Sequence, residues 1–303
     1  MSAAAPAPAR AAATSPVVAL WRFTRPHTII GTTLSVLGLY VLAAEWAAAA
    51  PLYDLACTLV AAWCVNVFIV GVNQLTDVDI DRINKPFLPL ASGELATATA
   101  RRIVAVCAVV PVALGLTQGA LETGAVLAGL AIGAAYSLPP LRLKRFPLVA
   151  SLCITGVRAV VVNLGVALHF TDGSVPPGVW ALTLFVVPFA FAIAVLKDVP
   201  DAEGDRRFRI STFTVRLGGR RVLRMGLGAL VVAYAGMAVL GPLLLDDAQP
   251  VVLAGTHLAV LAVLLHAARG ADPADPEAFT RFYMMVWKAF FLEYALVPLA
   301  FVL

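Results

Sequence analysis

Nine stretches of this chain, near residues 27–45, 53–73, 101–118, 122–138, 147–169, 179–199, 220–244, 250–268 and 279–302, are long and apolar enough to cross a lipid bilayer. About 20 residues of helix span the roughly 30 Å of hydrocarbon. A backbone in that layer must satisfy its own hydrogen bonds, so only helices or a closed barrel will do. These runs show neither the period-two alternation nor the turns of a barrel, which leaves helices. Composition agrees: 61% hydrophobic and 13% charged residues belong to the membrane class. The chain reads as an all-α integral membrane protein, a multi-pass bundle of about nine transmembrane helices in contact with membrane lipid.

Basic residues orient the bundle. Arg10, Arg22 and Arg25 precede the first span; Arg82, Lys85, Arg101 and Arg102 follow the second; Arg142, Lys144 and Arg145 follow the fourth. Arg206, Arg207, Arg209, Arg216, Arg220 and Arg221 follow the sixth, and Arg269 and Arg281 bracket the loop after the eighth. The alternate loops, around Glu45, Glu122, Asp172 and Asp246, carry no Lys or Arg. Because basic loops stay in the cytoplasm, the N-terminus is expected there and the C-terminus outside, in a bacterial cell membrane. The net charge of +4 is the sum of this asymmetry; no basic groove with interleaved aromatics suggests nucleic acid. Residues 1–15, rich in Ala and Pro and without the apolar core of a signal peptide, read as a disordered tail before a single domain over 16–303. Cys57, Cys64, Cys107 and Cys153 lie inside apolar spans without paired spacing and read as packing residues.

Two acidic clusters interrupt the hydrocarbon, both at cytoplasmic ends of spans: Asn73 to Asp81, and Lys197 to Asp205. On a helix, residues four apart share a face, which groups Asn73, Asp77 and Asp81, and likewise Lys197, Asp201 and Asp205. Asp79 falls off that face. Pro200 must kink or restart the second helix. Packed carboxylates repel unless a cation neutralises them, and Mg²⁺ prefers a few carboxylates plus phosphate oxygens. Asn73, Asp77, Asp81, Asp198, Asp201 and Asp205 are therefore candidate Mg²⁺ ligands for a diphosphate. Lys197, Arg142, Lys144 and Arg145 are candidate diphosphate contacts, Lys as a point charge and Arg as a bidentate fork. The repeated pattern of span, acidic motif and polar loop reads as a weak internal duplication with one site where the halves meet. Arg158, Asn163, Lys288 and Glu293 lie inside spans, where ionisable groups are functional candidates; an interhelical Arg158–Glu293 pair is the structural alternative.

These motifs resemble those of the UbiA superfamily of intramembrane prenyltransferases. Asn73, Asp77 and Asp81 match its first motif, with Gln74 in place of an Asp, and Lys197, Asp198, Asp201 and Asp205 match the second. Its Tyr-x-x-x-Lys element is only loosely matched by Tyr136 and Lys144. The run Asn84 to Glu94, the opening Phe23 to Thr28, Tyr136 to Pro140 and Phe282 to Lys288 are similar to the homogentisate prenyltransferase branch.

The resemblance implies transfer of an isoprenoid chain from a prenyl diphosphate to a small phenolic acceptor, with Mg²⁺ as cofactor and Asp77, Asp81, Asp201, Asp205 and Lys197 as the catalytic group. Arg158 and Asn163 are the candidates for contacting an acceptor carboxylate and hydroxyl. A terpene cyclase using the same diphosphate site without an acceptor is the alternative. A cation-coupled transporter fits poorly, because its carboxylates belong at mid-bilayer.

Overall fold

The computed structural model describes residues 15–303, which form helices joined by turns, with no strand among them. Residues 1–14, most of the expected tail, lie outside the described residues. Ser15 starts the fold: its hydroxyl accepts from the Val18 amide (3.3 Å) and caps a short helix, Pro16–Phe23.

Nine helices among the described residues are long and apolar enough to span a membrane, one for each expected run. They are α1 (Pro26–Trp46), α2 (Leu52–Thr76), α3 (Thr97–Gln118), α4 (Ala120–Ser137), α5 (Pro147–Phe170), α6 (Pro177–Leu196), α7 (Gly219–Leu244), α8 (Pro250–Gly270) and α9 (Pro276–Val302). Helices α1, α5, α6, α8 and α9 begin on proline. There the missing N–H leaves no bond unmade. The interior prolines Pro111, Pro188, Pro242 and Pro298 are carried without ending their helices, as membrane helices commonly allow.

The helices pack in sequence order, and α9 closes the bundle against α1, α6 and α8. Helix α6 lies at the centre, with 67% of its most apolar window buried, whereas α8, at 17%, faces outward. At the α1–α9 seam a β-carbon on Gly38 would stand 2.3 Å from the Tyr294 carbonyl oxygen, so glycine is what lets these backbones meet. A buried pair, His257 Nε2 to Glu293 Oε2 at 3.0 Å, joins α8 to α9. The Arg158–Glu293 pair is therefore not formed. Arg158 sits instead over the rings of Trp287 (4.5 Å) and Phe290 (5.5 Å). It is presented by a widened π-helical turn, Gly156–Val162, in the middle of α5, a local form that often marks functional sites.

The two acidic motifs follow α2 and α6, and each leads into a short helix, Val78–Asn84 or Ala202–Arg207. These two short helices pack on each other. The halves of the duplicated pattern thus meet at one end of the bundle.

Candidate active site

The first motif is not the continuous helix its four-residue period suggests. Thr76 Oγ1 donates to the Asn73 carbonyl (2.9 Å), and the Asp77 amide bonds to Gln74 at 3.4 Å rather than to Asn73. The chain breaks at Asp77 (φ −119°, ψ 18°) and restarts at Val78. What holds the break is tertiary: Asp77 accepts from Lys144 Nζ (2.6 Å), Asn73 Nδ2 (3.1 Å) and Arg142 Nη2 (3.3 Å). In the second motif, helix α6 ends at Leu196, Lys197 to Asp201 form a turn around Pro200, and a short helix restarts at Ala202, the restart rather than the kink of the two outcomes expected at this proline. Asp79 points away, 72% exposed and paired with Arg82. Gln74 is fully buried and donates to the Phe23 carbonyl (2.8 Å), anchoring the N-terminal helix. The amide standing where the family motif has an acid is a structural tie.

Asp77, Asp81, Asp198, Asp201 and Asp205 all line one basin of about 450 Å³, with Asn73, Lys144 and Lys197. Side chains from both motifs cross it. Asn84 Oδ1 accepts from the Gly204 amide (2.9 Å), its Nδ2 donates to Asp205 (3.5 Å), and Lys85 pairs with Asp201. Lys197 Nζ pairs with Asp198 (3.3 Å) and donates to the Tyr136 hydroxyl (3.0 Å). Arg142 reaches the basin only through Asp77. Arg145 does not reach it: the side chain is exposed, bonded to the Pro140 carbonyl (3.4 Å) and stacked on Phe146.

Sequence reasoning missed Asn84 and Lys85 as site residues, because they stand outside the acidic periods. Their place at the head of the family-like run was the available signal. Arg25, read from sequence as a topology marker, also lines the basin, and so does its neighbour His27.

The carboxylates divide by partner. Asp77 and Asp201 are neutralised by lysines, whereas Asp81 and Asp205, each 6% exposed, form no ion pair among the described residues. Burial pushes the Asp81 carboxyl up to about 6, with Lys85 and Arg25 pulling it down and Asp77 and Asp201 adding to the rise. Burial, then the charges of Asp198 and Asp201, push Asp205 up to about 7. Among the described residues no three acidic, histidine or cysteine side chains converge into a metal cage. The donor set nevertheless fits Mg²⁺. All the available ligands are oxygens, two carboxyls lack a counter-charge, and this ion binds through one or two carboxylates plus phosphate oxygens.

A second, apolar cavity of about 250 Å³ continues from the basin between α2, α4 and α5, and the two share Arg25, His27, Asn73, Tyr136, Lys197 and Tyr283 as walls. Arg158 lines this second cavity just beneath the junction. Asn163 does not: it is fully buried and accepts from the Tyr294 hydroxyl (2.7 Å). A charged basin opening onto an apolar tunnel suits a molecule with an anionic head and a hydrocarbon tail.

Comparison with known proteins gives the same picture. The model of the UbiA prenyltransferase family matches residues 30–291. Homogentisate phytyltransferase of Synechocystis sp. is 46% identical over 294 residues, covering 94% of this chain and 96% of that protein. Homogentisate phytyltransferase 1, chloroplastic, of Arabidopsis thaliana is 39% identical, covering 92% and 74%. In fold, a UbiA homolog from Archaeoglobus fulgidus bound to GPP and Mg²⁺ superposes with a TM-score of 0.68 at 18% identity, covering 92% of this chain and 99% of that one.

Proposed function

The chain belongs to the UbiA prenyltransferase family, and from that premise we propose that it transfers an isoprenoid chain from a prenyl diphosphate to homogentisate or a closely similar phenolic acid. The observation that carries this reading is the continuity of the basin and the tunnel, with Lys197 and Tyr136 at their junction. The diphosphate occupies the basin, against Lys197, Lys144, Lys85 and Arg25. Asp77, Asp81, Asp201 and Asp205 are the residues that would hold Mg²⁺, which neutralises the phosphate oxygens when bound. Preorganised cations at a leaving group favour cleavage of the allylic C–O bond, because charge develops there in the transition state. The tunnel holds the hydrocarbon tail and keeps water from the allylic cation. An electron-rich ring carbon of the phenol then forms the new C–C bond.

Arg158 supports an acidic acceptor. It lines the cavity beneath the diphosphate basin and has no carboxylate partner among the described residues. A guanidinium inside a membrane span is costly, and such groups are functional candidates by default. In purified protein supplied with Mg²⁺ and geranylgeranyl or phytyl diphosphate, diphosphate release should rise when homogentisate is added, and a prenylated aromatic should appear in the mass spectrum. Arg158→Ala should raise the acceptor KM at least tenfold while leaving the KM for prenyl diphosphate within about twofold, the loss of one charge-assisted contact. Full-rate consumption of the prenyl diphosphate without any phenol, yielding cyclic hydrocarbons, overturns the reading in favour of a cyclase.

The basic loops support a basin that opens to the cytoplasm. With the four native cysteines replaced, Asp247→Cys should react with an impermeant thiol reagent in intact cells. Arg207→Cys, which is exposed beside the second motif, should react only after permeabilisation. Labelling of position 207 in intact cells reverses the orientation.

A further inference from the structure

The lining of the apolar tunnel ends, at its far end, on a carboxyl group. Its lining runs down α2 from Asn73 through Asn66 to Thr58, and down α4 from Tyr136 through Gly129 to Glu122. At about 1.5 Å of rise per residue each stripe descends about 21 Å below the junction, the reach of roughly four isoprene units laid end to end. Both stripes stop at the same depth, at two polar residues. Glu122 is 4% exposed, Thr58 is 1% exposed, and Glu122 forms no ion pair among the described residues. Between Asn66 and these two residues the walls are hydrocarbon, among them Ala62, Val65, Ala125 and Val126.

We propose that Glu122, with Thr58 opposite, is the floor of the prenyl-chain tunnel and sets the upper limit on the length of chain the enzyme accepts. This inference rests on the prenyl-transfer reading and adds a length-determining residue to it. A tail that fits ends in contact with the walls above Glu122. A longer tail must push hydrocarbon against a buried carboxyl, and pressing a polar group into an apolar setting is costly. Truncating Glu122 to alanine removes the carboxyl from the end of the tunnel and lengthens the space available to a hydrocarbon tail. Glu122 also stands in the first turn of α4, where an acid is favoured by the helix dipole. That role alone predicts a change in stability and none in chain-length preference.

The test is competition between C10, C20 and C45 prenyl diphosphates in the full-length protein, with homogentisate as acceptor and products resolved by mass spectrometry. Wild type should favour C20 over C45 at least tenfold in kcat/KM. Glu122→Ala should raise the C45-to-C20 ratio at least tenfold and leave C10 transfer within twofold. Thr58→Phe raises the floor, and should cut C20 transfer at least tenfold relative to C10; it carries the test if Glu122→Ala does not fold. Glu122→Gln keeps the shape and should keep the wild-type ratio. Ratios unmoved in folded Glu122→Ala or Thr58→Phe overturn the floor and leave the reaction standing. A wild-type chain that prenylates no phenolic acid at all overturns the reaction, and the floor with it.

Discussion

Asp81→Asn and Asp205→Asn are expected to lower prenyl transfer a hundredfold or more without weakening the fold. Both carboxyls are buried and form no ion pair among the described residues, and burial holds each above the ordinary carboxylate range, so they destabilise the empty protein. Replacing either with a neutral amide of the same size removes that cost, and the melting temperature should hold or rise. Activity falls because a charge complementary to the departing diphosphate and its counter-ion is gone, and preorganised groups of this kind are commonly worth about a hundredfold to a thousandfold each. Asp77→Asn and Asp201→Asn should lose as much activity for a mixed reason. Asp77 also neutralises Lys144, whose side chain is only 7% exposed, and burial already lowers that amine from its ordinary value. Asp77→Asn leaves this cation without a counter-charge and should lower the melting temperature as well. Asp79→Asn, on the exposed side of the same helix, should stay within about twofold of wild type, as surface pairs contribute little. Steady-state rates and thermal unfolding in detergent measure both quantities. An Asp81→Asn variant with wild-type turnover removes this residue from the site.

The membrane bundle was legible because hydrocarbon length is a one-dimensional constraint: each apolar run had to be a helix long enough to cross, and each is, within a few residues at its ends. The gathering of the acidic residues was legible for a similar reason, since charges stranded at the same side of alternate spans have few places to go. The details that follow from tertiary contact were not. Asp77 breaks its helix because Lys144, Arg142 and Asn73 converge on it, and two of these are more than sixty residues away in sequence. Lys197 reads as one face of a helix with Asp201 and Asp205, yet the turn at 197–201 sends it to Tyr136 on α4. Tyr136 thus bonds Lys197, while Lys144, its partner in the loosely matched element, bonds Asp77. Arg145 and Asn163 show the converse: a residue type suited to a role, on the right segment, whose rotation about its own backbone points it elsewhere. Glu122 escaped because in sequence it is only one acidic residue in a loop without basic ones. Its meaning depends on the depth of a cavity formed by three other helices.

The join between the two acidic halves should itself be a sensitive target. Among the described residues, Asn84 is the one side chain that bonds both the backbone and a carboxylate of the second motif, accepting from the Gly204 amide at 2.9 Å and donating to Asp205 at 3.5 Å. Gly204 is what allows that approach. A β-carbon there would lie 2.3 Å from Asn84 Oδ1 and 2.6 Å from its Cγ, so the whole amide must swing away. Gly204→Ala is therefore expected to act as a mutation of Asn84, parting the helices Val78–Asn84 and Ala202–Arg207 by a fraction of an ångström to about an ångström. Misplacement on that scale can cost on the order of a hundredfold in rate, and both Gly204→Ala and Asn84→Ala should lose between about tenfold and a hundredfold in kcat. The double variant should lose little more than either alone, because the two changes break one contact, and contacting residues are where additivity fails. The deep core around Phe189, Tyr234 and Phe290 is untouched, so the melting temperature should move by no more than a few degrees. Fully multiplicative losses in the double variant would mean that Asn84 and Gly204 act separately, and that the two halves of the site are held in register by something other than this contact.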